Sequence, residues 1–219
     1  LNKCGALIKV KNRTITVRGV EELKLQDYKV IPDRIEAGSY ILATMATKGR
    51  LKLNNFNPKD LALPLKLYKG MGLKIKKLSN SSYEIYCKTL KPIKKISTKE
   101  FPGYPTDLQA QLIATQLKSG LKSKVVENIF ENRFIHIPEL RRFGANLSIK
   151  GNTVTIDKTS NLLGAEVMAT DIRASFSLII AAMMSKGKTV INRIYHLDRG
   201  YEDFDLKLKK CGVNISRKK

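Results

Sequence analysis

Three aspartates stand at comparable points along the chain, each opening a mostly apolar segment: Pro32-Asp33-Arg-Ile-Glu36-Ala-Gly, Thr106-Asp107-Leu-Gln-Ala-Gln and Thr170-Asp171-Ile-Arg173-Ala-Ser. A positioned carboxylate can act as a general base, a role that typically contributes about 10²–10⁴-fold. A nearby arginine can grip a carboxylate or phosphate through paired N–H donors. Arg173 follows Asp171 by two residues, and Arg199 lies in Asp198-Arg-Gly-Tyr-Glu202. There Gly200 relieves backbone crowding at an expected helix start, whose dipole favours anions. Residue type alone supports a plainer reading of the aspartates, because an Asp in a helix's first turn complements the positive end of the dipole, and this applies to all three. Thr106 and Thr170 are then the expected N-caps, and a lone Arg in a loop is ordinarily a surface residue.

Metal and thiol chemistry find less support. His136 and His196 lack helical or metal-ligand spacing to each other, so both are expected to pack or hydrogen-bond rather than ligate. Cys4, Cys87 and Cys211 form no close pair and leave an odd count, which disfavours a disulfide framework or a cysteine-rich zinc site and fits a reducing cytosol. Cys4 and Cys211 each precede a glycine at an expected helix end, where Cys serves as a small core filler.

The elements that must position these residues repeat. Leu1-Asn-Lys-Cys-Gly5, Leu67-Tyr-Lys-Gly-Met-Gly72, Leu140-Arg-Arg-Phe-Gly144 and Leu208-Lys-Lys-Cys-Gly212 each read as a basic amphipathic helix end, a glycine suited to the left-handed position after it, and then an apolar strand. The glycines recur with a period of roughly seventy residues, a whole supersecondary unit. The segments opened by the three aspartates end at Lys48-Gly49, Ser119-Gly120 and Lys186-Gly187. They are apolar nearly all round, most clearly over 175–184, and are expected to be buried helices. Short strands are expected at Arg50–Leu53, Ser123–Val126 and Thr189–Asn192, with hairpins over Ile8–Val17 around Asn12 and Asn146–Ile156 around Gly151-Asn152. The expected division is 1–31 as the tail of a preceding domain and 32–219 as three repeats at 32–98, 99–165 and 166–219, the last lacking its final strand.

The chain has 219 residues, 41 Lys+Arg against 19 Asp+Glu, and a formal net charge of +22. Such a surplus attracts nucleic acid or anionic ligands by electrostatics alone. Its lysines are scattered, with short clusters only at Lys74, Lys76, Lys77 and at Lys91, Lys94, Lys95, and Trp is absent. A stacking platform or a basic arm for nucleic acid is therefore poorly supplied. No stretch approaches the roughly 18 apolar residues of a membrane span, so a cytoplasmic protein without membrane partners is expected.

Five stretches carry a resemblance. These are Pro32-Asp-Arg-Ile-Glu-Ala-Gly, Pro105-Thr-Asp-Leu-Gln-Ala-Gln111, Ile129-Phe-Glu-Asn-Arg-Phe134 with His136-Ile-Pro-Glu-Leu140, Ala169-Thr-Asp-Ile-Arg-Ala-Ser175, and Arg193-Ile-Tyr-His-Leu-Asp-Arg-Gly-Tyr-Glu202. In this order they resemble the bacterial UDP-N-acetylglucosamine 1-carboxyvinyltransferases, the enolpyruvyl transferases that open peptidoglycan precursor synthesis. The resemblance covers the whole chain but only about the C-terminal half of such an enzyme. It implies an α/β (α+β) fold, an inside-out α/β barrel, or α/β prism, of repeated βαβαββ units with buried helices behind sheets.

It also implies the chemistry. The 3-hydroxyl of UDP-N-acetylglucosamine adds to carbon 2 of phosphoenolpyruvate, carbon 3 is protonated, and phosphate is expelled, with no cofactor and no metal. Asp107 matches the family's base, and Asp171 helps to organise the acid–base site. Ile129 and Phe130 match a segment that holds the UDP-sugar, partly through backbone groups. Arg199 matches an arginine that binds phosphoenolpyruvate, while Arg133, Arg173, Asp33 and Glu36 fall around the same cleft. The family's cysteine loop and its Lys-Asn pair have no match here, and none of the three cysteines takes that role, so the missing N-terminal half, in cis or as a separate chain, is an expected partner. The shikimate-pathway enolpyruvyl transferases, the RNA 3′-phosphate cyclases and a nucleic-acid-binding or assembly module are the alternative readings.

Overall fold

A computed structural model describes residues 1–218. They form two compact units, Leu1–Pro32 and the chain from Asp33 onward. In the first unit β1 (Leu7–Lys11) and β2 (Thr14–Arg18) form an antiparallel hairpin, which Asn12 turns with φ 54°. The register pairs Ile8 with Val17 and Val10 with Ile15, so one face of the hairpin is apolar. Val10, Ile15 and Val17 are nevertheless each about two-thirds exposed, at 68%, 66% and 65%. A two-stranded hairpin with an uncovered apolar face is only marginally stable by itself.

The second unit begins with α1 (Arg34–Ala46), β3 (Arg50–Leu53), α2 (Ala62–Gly70), β4 (Lys74–Lys77) and β5 (Tyr83–Tyr86), the strands ordered β3-β5-β4 with every pair antiparallel. Then come β6 (Lys95–Ser97), α3 (Gln109–Gln116), β7 (Ser123–Val126), α4 (Ile137–Arg142), β8 (Leu147–Lys150) and β9 (Thr153–Ile156), in a sheet ordered β6-β7-β9-β8. The last set is β10 (Glu166–Met168), α5 (Ser175–Met184), β11 (Val190–Asn192), α6 (Tyr195–Asp198) and α7 (Phe204–Lys210). β6 pairs with β7, and β10 with β11, in parallel, so each pair encloses a helix as a crossover. Counting in seventies placed residues 95–97 at the end of a repeat, whereas their hydrogen bonds put β6 in the sheet of the next one.

The expected strands and hairpins form where turn chemistry and alternation are local, and the helices α1, α3 and α5 form one shared core. Gly38–Ala46, all of α3, and Ser175–Ala181 are buried. Helices apolar on every side are stable only when packed on every side, and here sheets β3-β5 and β7 cover the outer faces of α1 and α3. Among the described residues no helix is long and apolar enough to cross a membrane. The three cysteines are free. Cys87 is fully buried, but Cys211 is exposed, so it fills no core. It is the C-cap of the short α7, whose buried residues are Phe204 and Leu208.

Some polar groups inside this core pair across repeats. The Tyr201 hydroxyl lies 2.8 Å from Ser39 Oγ on α1, and the Gln111 side-chain amide on α3 donates to both at 3.1 Å. Its N–H also reaches the Asp107 carbonyl at 3.0 Å. Tyr201 is 1% exposed and stacks on Phe176 of α5, with ring centroids 4.6 Å apart. One side chain thus touches all three central helices.

The four repeated glycines have φ of 97° (Gly5), 110° (Gly72), 86° (Gly144) and 88° (Gly212), as a left-handed helix end requires. They differ in surroundings. A Cβ on Gly212 would meet nothing within 4 Å, whereas one on Gly72 would lie 2.1 Å from the Thr89 carbonyl oxygen. Gly212→Ala should therefore lower stability by about 1–2 kcal/mol, the left-handed penalty alone, and Gly72→Ala by roughly twice that or more. Urea unfolding of both variants checks this, and equal losses would contradict it.

Candidate functional site

The three equivalent aspartates do not do equivalent work. Asp33 is the N-cap of α1, its Oδ1 accepting from the Ile35 and Glu36 N–H groups at 2.7 and 3.2 Å. Asp171 likewise accepts from the Arg173 and Ala174 N–H groups at 2.8 and 2.6 Å. Asp33 thus caps α1, whereas Asp171 closes the turn ahead of α5, whose N-cap Ala174 has no side-chain cap, and neither threonine caps a helix. Thr170 Oγ1 is buried without a partner among the described residues, and Thr106 Oγ1 donates instead to Glu127. Asp107, half-buried beside α3, takes no backbone N–H of its own helix start. Its Oδ1 accepts from Arg133 Nη2 at 2.6 Å. A dipole-complementing Asp predicts the first two arrangements and not the third.

Around Asp107 the loop after β7 folds back. The Arg133 guanidinium lies 4.9 Å from the centroid of the Phe130 ring, and Gln109 Nε2 donates to the Arg133 carbonyl at 3.2 Å. Phe130 is 55% exposed, and Ile129 is half-buried. Neither is the strand-end core residue that residue type alone suggests, because β7 ends at Val126.

A separate cleft of ≈ 760 Å³ opens at the other end of the polar chain through Tyr201, lined by Asp33, Arg173, Asp198, Arg199, Tyr201 and Arg217 among others. Arg173 is held from two sides, donating to Asp33 Oδ2 and the Gly200 carbonyl, each at 3.2 Å, above the Tyr201 ring. Arg217 forks onto Asp198 at 2.7 and 3.0 Å and reaches Asp205 at 2.9 Å. Arg199 is exposed in this cleft and has no ion pair with any described carboxylate. Its surroundings correct one expectation, since Arg199 caps the C-terminal end of the four-residue α6. α6 therefore turns its C-terminal end, and not the expected helix start, toward Arg199. The crowding at Gly200 is real, however, since a Cβ would lie 2.2 Å from Ile172 Cγ2.

The expected site residues thus fall into two clusters, one of Asp107, Ile129, Phe130 and Arg133, the other of Asp33, Arg173 and Arg199. Gln111 and Tyr201 join them. Asp171 stays at its own helix start, and Glu36 is paired with Lys207 Nζ at 2.8 Å. Residue-by-residue reading missed Gln111, Glu127, Tyr201, Lys207 and Arg217. All act across more than ten residues, and only Glu127 left a local signal, an acidic residue directly after the apolar Val125-Val126. Among the described residues no group of His, Cys, Asp and Glu could hold a metal ion. The arrangement can place a carboxylate, held by a guanidinium, beside one ligand and offer guanidinium groups to an anion.

Comparison with known proteins gives these clusters a setting. Residues 1–208 match the family of EPSP synthase (3-phosphoshikimate 1-carboxyvinyltransferase). The chain is 50% identical over 207 residues to the UDP-N-acetylglucosamine 1-carboxyvinyltransferase of Pelagibacter ubique (strain HTCC1062), covering 94% of this chain and 49% of that protein. It is 44% identical to the enzyme of the same name from Rhodopseudomonas palustris (strain TIE-1), over 99% of this chain and 51% of that one. Among solved structures it resembles the enolpyruvyl transferase NikO from Streptomyces tendae, with TM-score 0.85, 26% identity, and coverage of 98% of this chain and 52% of that one. EPSP synthase from Acinetobacter baumannii shares the fold, with TM-score 0.73 at 16% identity. The chain spans about half the length of the curated relatives it matches.

One buried group near Arg133 titrates in a useful range. His136 is fully buried, and neither ring nitrogen has a hydrogen-bond partner among the described residues. Burial, aided by the Arg133 charge, pulls its pKa from 6.5 down to about 3. The unfolded chain then takes up the proton first, so stability is lost as pH falls from about 6.5 toward 3, by up to about 1.4 kcal/mol per pH unit. Urea unfolding at pH 7, 6, 5 and 4 should show a shallower decline in His136→Leu than in the parent chain. Parallel profiles would contradict the assignment.

Proposed function

The chain belongs to the EPSP synthase family and has its enolpyruvyl transferase fold, and from that premise we propose that it carries the C-terminal half of a UDP-N-acetylglucosamine 1-carboxyvinyltransferase site. The reaction is transfer of the enolpyruvyl group of phosphoenolpyruvate to the sugar 3-hydroxyl, the first committed step of peptidoglycan synthesis. The naming of relatives at 43–50% identity supports the substrate class. The observation that carries the residue roles is the different employment of three equivalent aspartates, with Asp107 alone bound to an arginine in place of helix amides.

In this reading Asp107 accepts the proton of the 3-hydroxyl as its oxygen bonds to carbon 2 of phosphoenolpyruvate, and Arg133 fixes the direction of the carboxylate. Carbon 3 receives a proton from an acid outside these residues. Loss of a carbon 3 proton together with phosphate then restores the double bond. Ile129 and Phe130 border the UDP-sugar. Arg199, unpaired, meets the phosphate or carboxylate of phosphoenolpyruvate, and Arg173, aimed by Asp33 and the Gly200 carbonyl, stands beside it. Asp171 and Glu36 hold nearby backbone, the first through the amides of the turn ahead of α5 and the second through the Lys207 ion pair. Residues from 32 onward form the three-repeat barrel, and residues 1–31 belong to a preceding one. The exposed apolar face of the β1–β2 hairpin supports an additional N-terminal half as its cover and as the source of the acid.

Isothermal titration of the 219-residue chain with UDP-N-acetylglucosamine tests the reading. Binding is expected, weakened at least about tenfold in Asp107→Ala through loss of a charge-assisted hydrogen bond. Phosphate release from phosphoenolpyruvate should appear only when an N-terminal half is added. Absence of nucleotide-sugar binding would overturn the reading, and turnover by the chain alone would overturn the division of the site.

A further inference from the structure

Glu127 directly follows β7 and is 3% exposed, a carboxylate placed where an unsatisfied charge would be costly. It is not unsatisfied. Oε1 accepts from the Thr98 hydroxyl at 2.8 Å, from the Ile129 N–H at 2.8 Å and from the Phe130 N–H at 3.3 Å. Oε2 accepts from the Thr106 hydroxyl at 2.7 Å. Thr98 Oγ1 in turn accepts the Asn128 N–H at 2.8 Å, so three successive amides of the loop are drawn inward. Thr106 immediately precedes Asp107. One buried side chain therefore ties the loop that carries the candidate base to the loop that carries Ile129 and Phe130.

The direction of these bonds has a consequence for any ligand. In a trans peptide the N–H and C=O point opposite ways, and the peptide bonds of this loop are not among the cis bonds of the described residues. Amides of Ile129 and Phe130 aimed at Glu127 turn the carbonyls of Asn128 and Ile129 away from it. The loop then presents acceptors and not donors, which suits the N–H and O–H groups of a nucleotide sugar and repels a phosphate.

We propose that Glu127 is a positioning residue, which sets the carbonyl-out conformation of the Asn128–Phe130 loop and its separation from Asp107, and so governs nucleotide-sugar affinity. This rests on the functional reading above for the identity of the ligand, while the loop geometry stands without it. Gln can keep the essential part, because its Oε1 accepts the same amides and its Nε2 can donate to a Thr106 hydroxyl that reverses its role. Ala can keep none of it.

The test uses the 219-residue chain as parent, Glu127→Ala and Glu127→Gln, with two readouts: hydrogen exchange at the Ile129 and Phe130 amides, and the Kd for UDP-N-acetylglucosamine. In Glu127→Ala exchange at both amides should rise about tenfold or more while α1, α3 and α5 stay protected, and the Kd should rise about tenfold or more. Glu127→Gln should restore both to within about threefold. Unaltered exchange in Glu127→Ala, or faster exchange with an unaltered Kd, overturns the proposal, as does a Gln variant as impaired as Ala. A parent chain that does not bind the nucleotide sugar overturns the functional reading and the assigned ligand with it, and exchange still decides the clamp. If Glu127→Ala fails to fold, Thr98→Val removes one donor to Oε1 and the acceptor of the Asn128 N–H, and the same exchange and Kd changes are expected of it.

Discussion

The hydroxyl of Tyr201 is the constraint on which the rest of this structure depends. It meets Ser39 of the first repeat and Gln111 of the second inside a core built mainly from apolar side chains of the central helices. A polar group at that depth is tolerated only when hydrogen-bonded, and removing one partner leaves the others unsatisfied. Apolar packing of α1, α3 and α5 would permit several rotations of one helix against another. The hydrogen bonds select one. Because Gln111 also holds the Asp107 carbonyl and the Tyr201 ring lies under Arg173, the choice made in the core fixes both clusters at the surface.

Charge works locally in this molecule. The net +22 suggests a broad positive field, yet the cleft around Arg199 is lined by Asp33, Asp198, Glu202, Asp203 and Asp205 as well as by three arginines. The acids there have assigned work: Asp33 aims Arg173, while Asp198 and Asp205 hold Arg217. In the proposed site a guanidinium so fixed would select by geometry, and Arg199, without an ion pair among the described residues, would supply the attraction. Anion recognition in the proposed site thus rests on a few oriented forks, with the scattered lysines adding little beyond a screened background.

Much of the fold was legible because its causes are local. Glycines at helix ends announced their φ, strands 50–53 and 123–126 lie where alternation put them, and Asn12 and Gly151 turn the expected hairpins. Local signals misled where two neighbours compete for one role, as when Asp171, and not the adjacent threonine at 170, took the amides of the turn ahead of α5. They also misled at Arg199, because nothing nearby distinguished the end of a one-turn helix from the start of the next. Glu127 and Tyr201 were invisible for a different reason. Their importance comes from partners up to 162 residues away, and a buried Glu reads in sequence like any other.

The claim that one buried junction sets the relative placement of the repeats predicts energetic coupling between residues far apart in the chain. A double-mutant cycle on unfolding free energy, with Ser39→Ala, Tyr201→Phe and the pair, measures it most directly. The account predicts that the two losses are strongly non-additive, with an interaction energy above about 0.5 kcal/mol. Losses that sum to within about 0.3 kcal/mol would contradict it, and would mean that the helices find their positions by apolar packing alone.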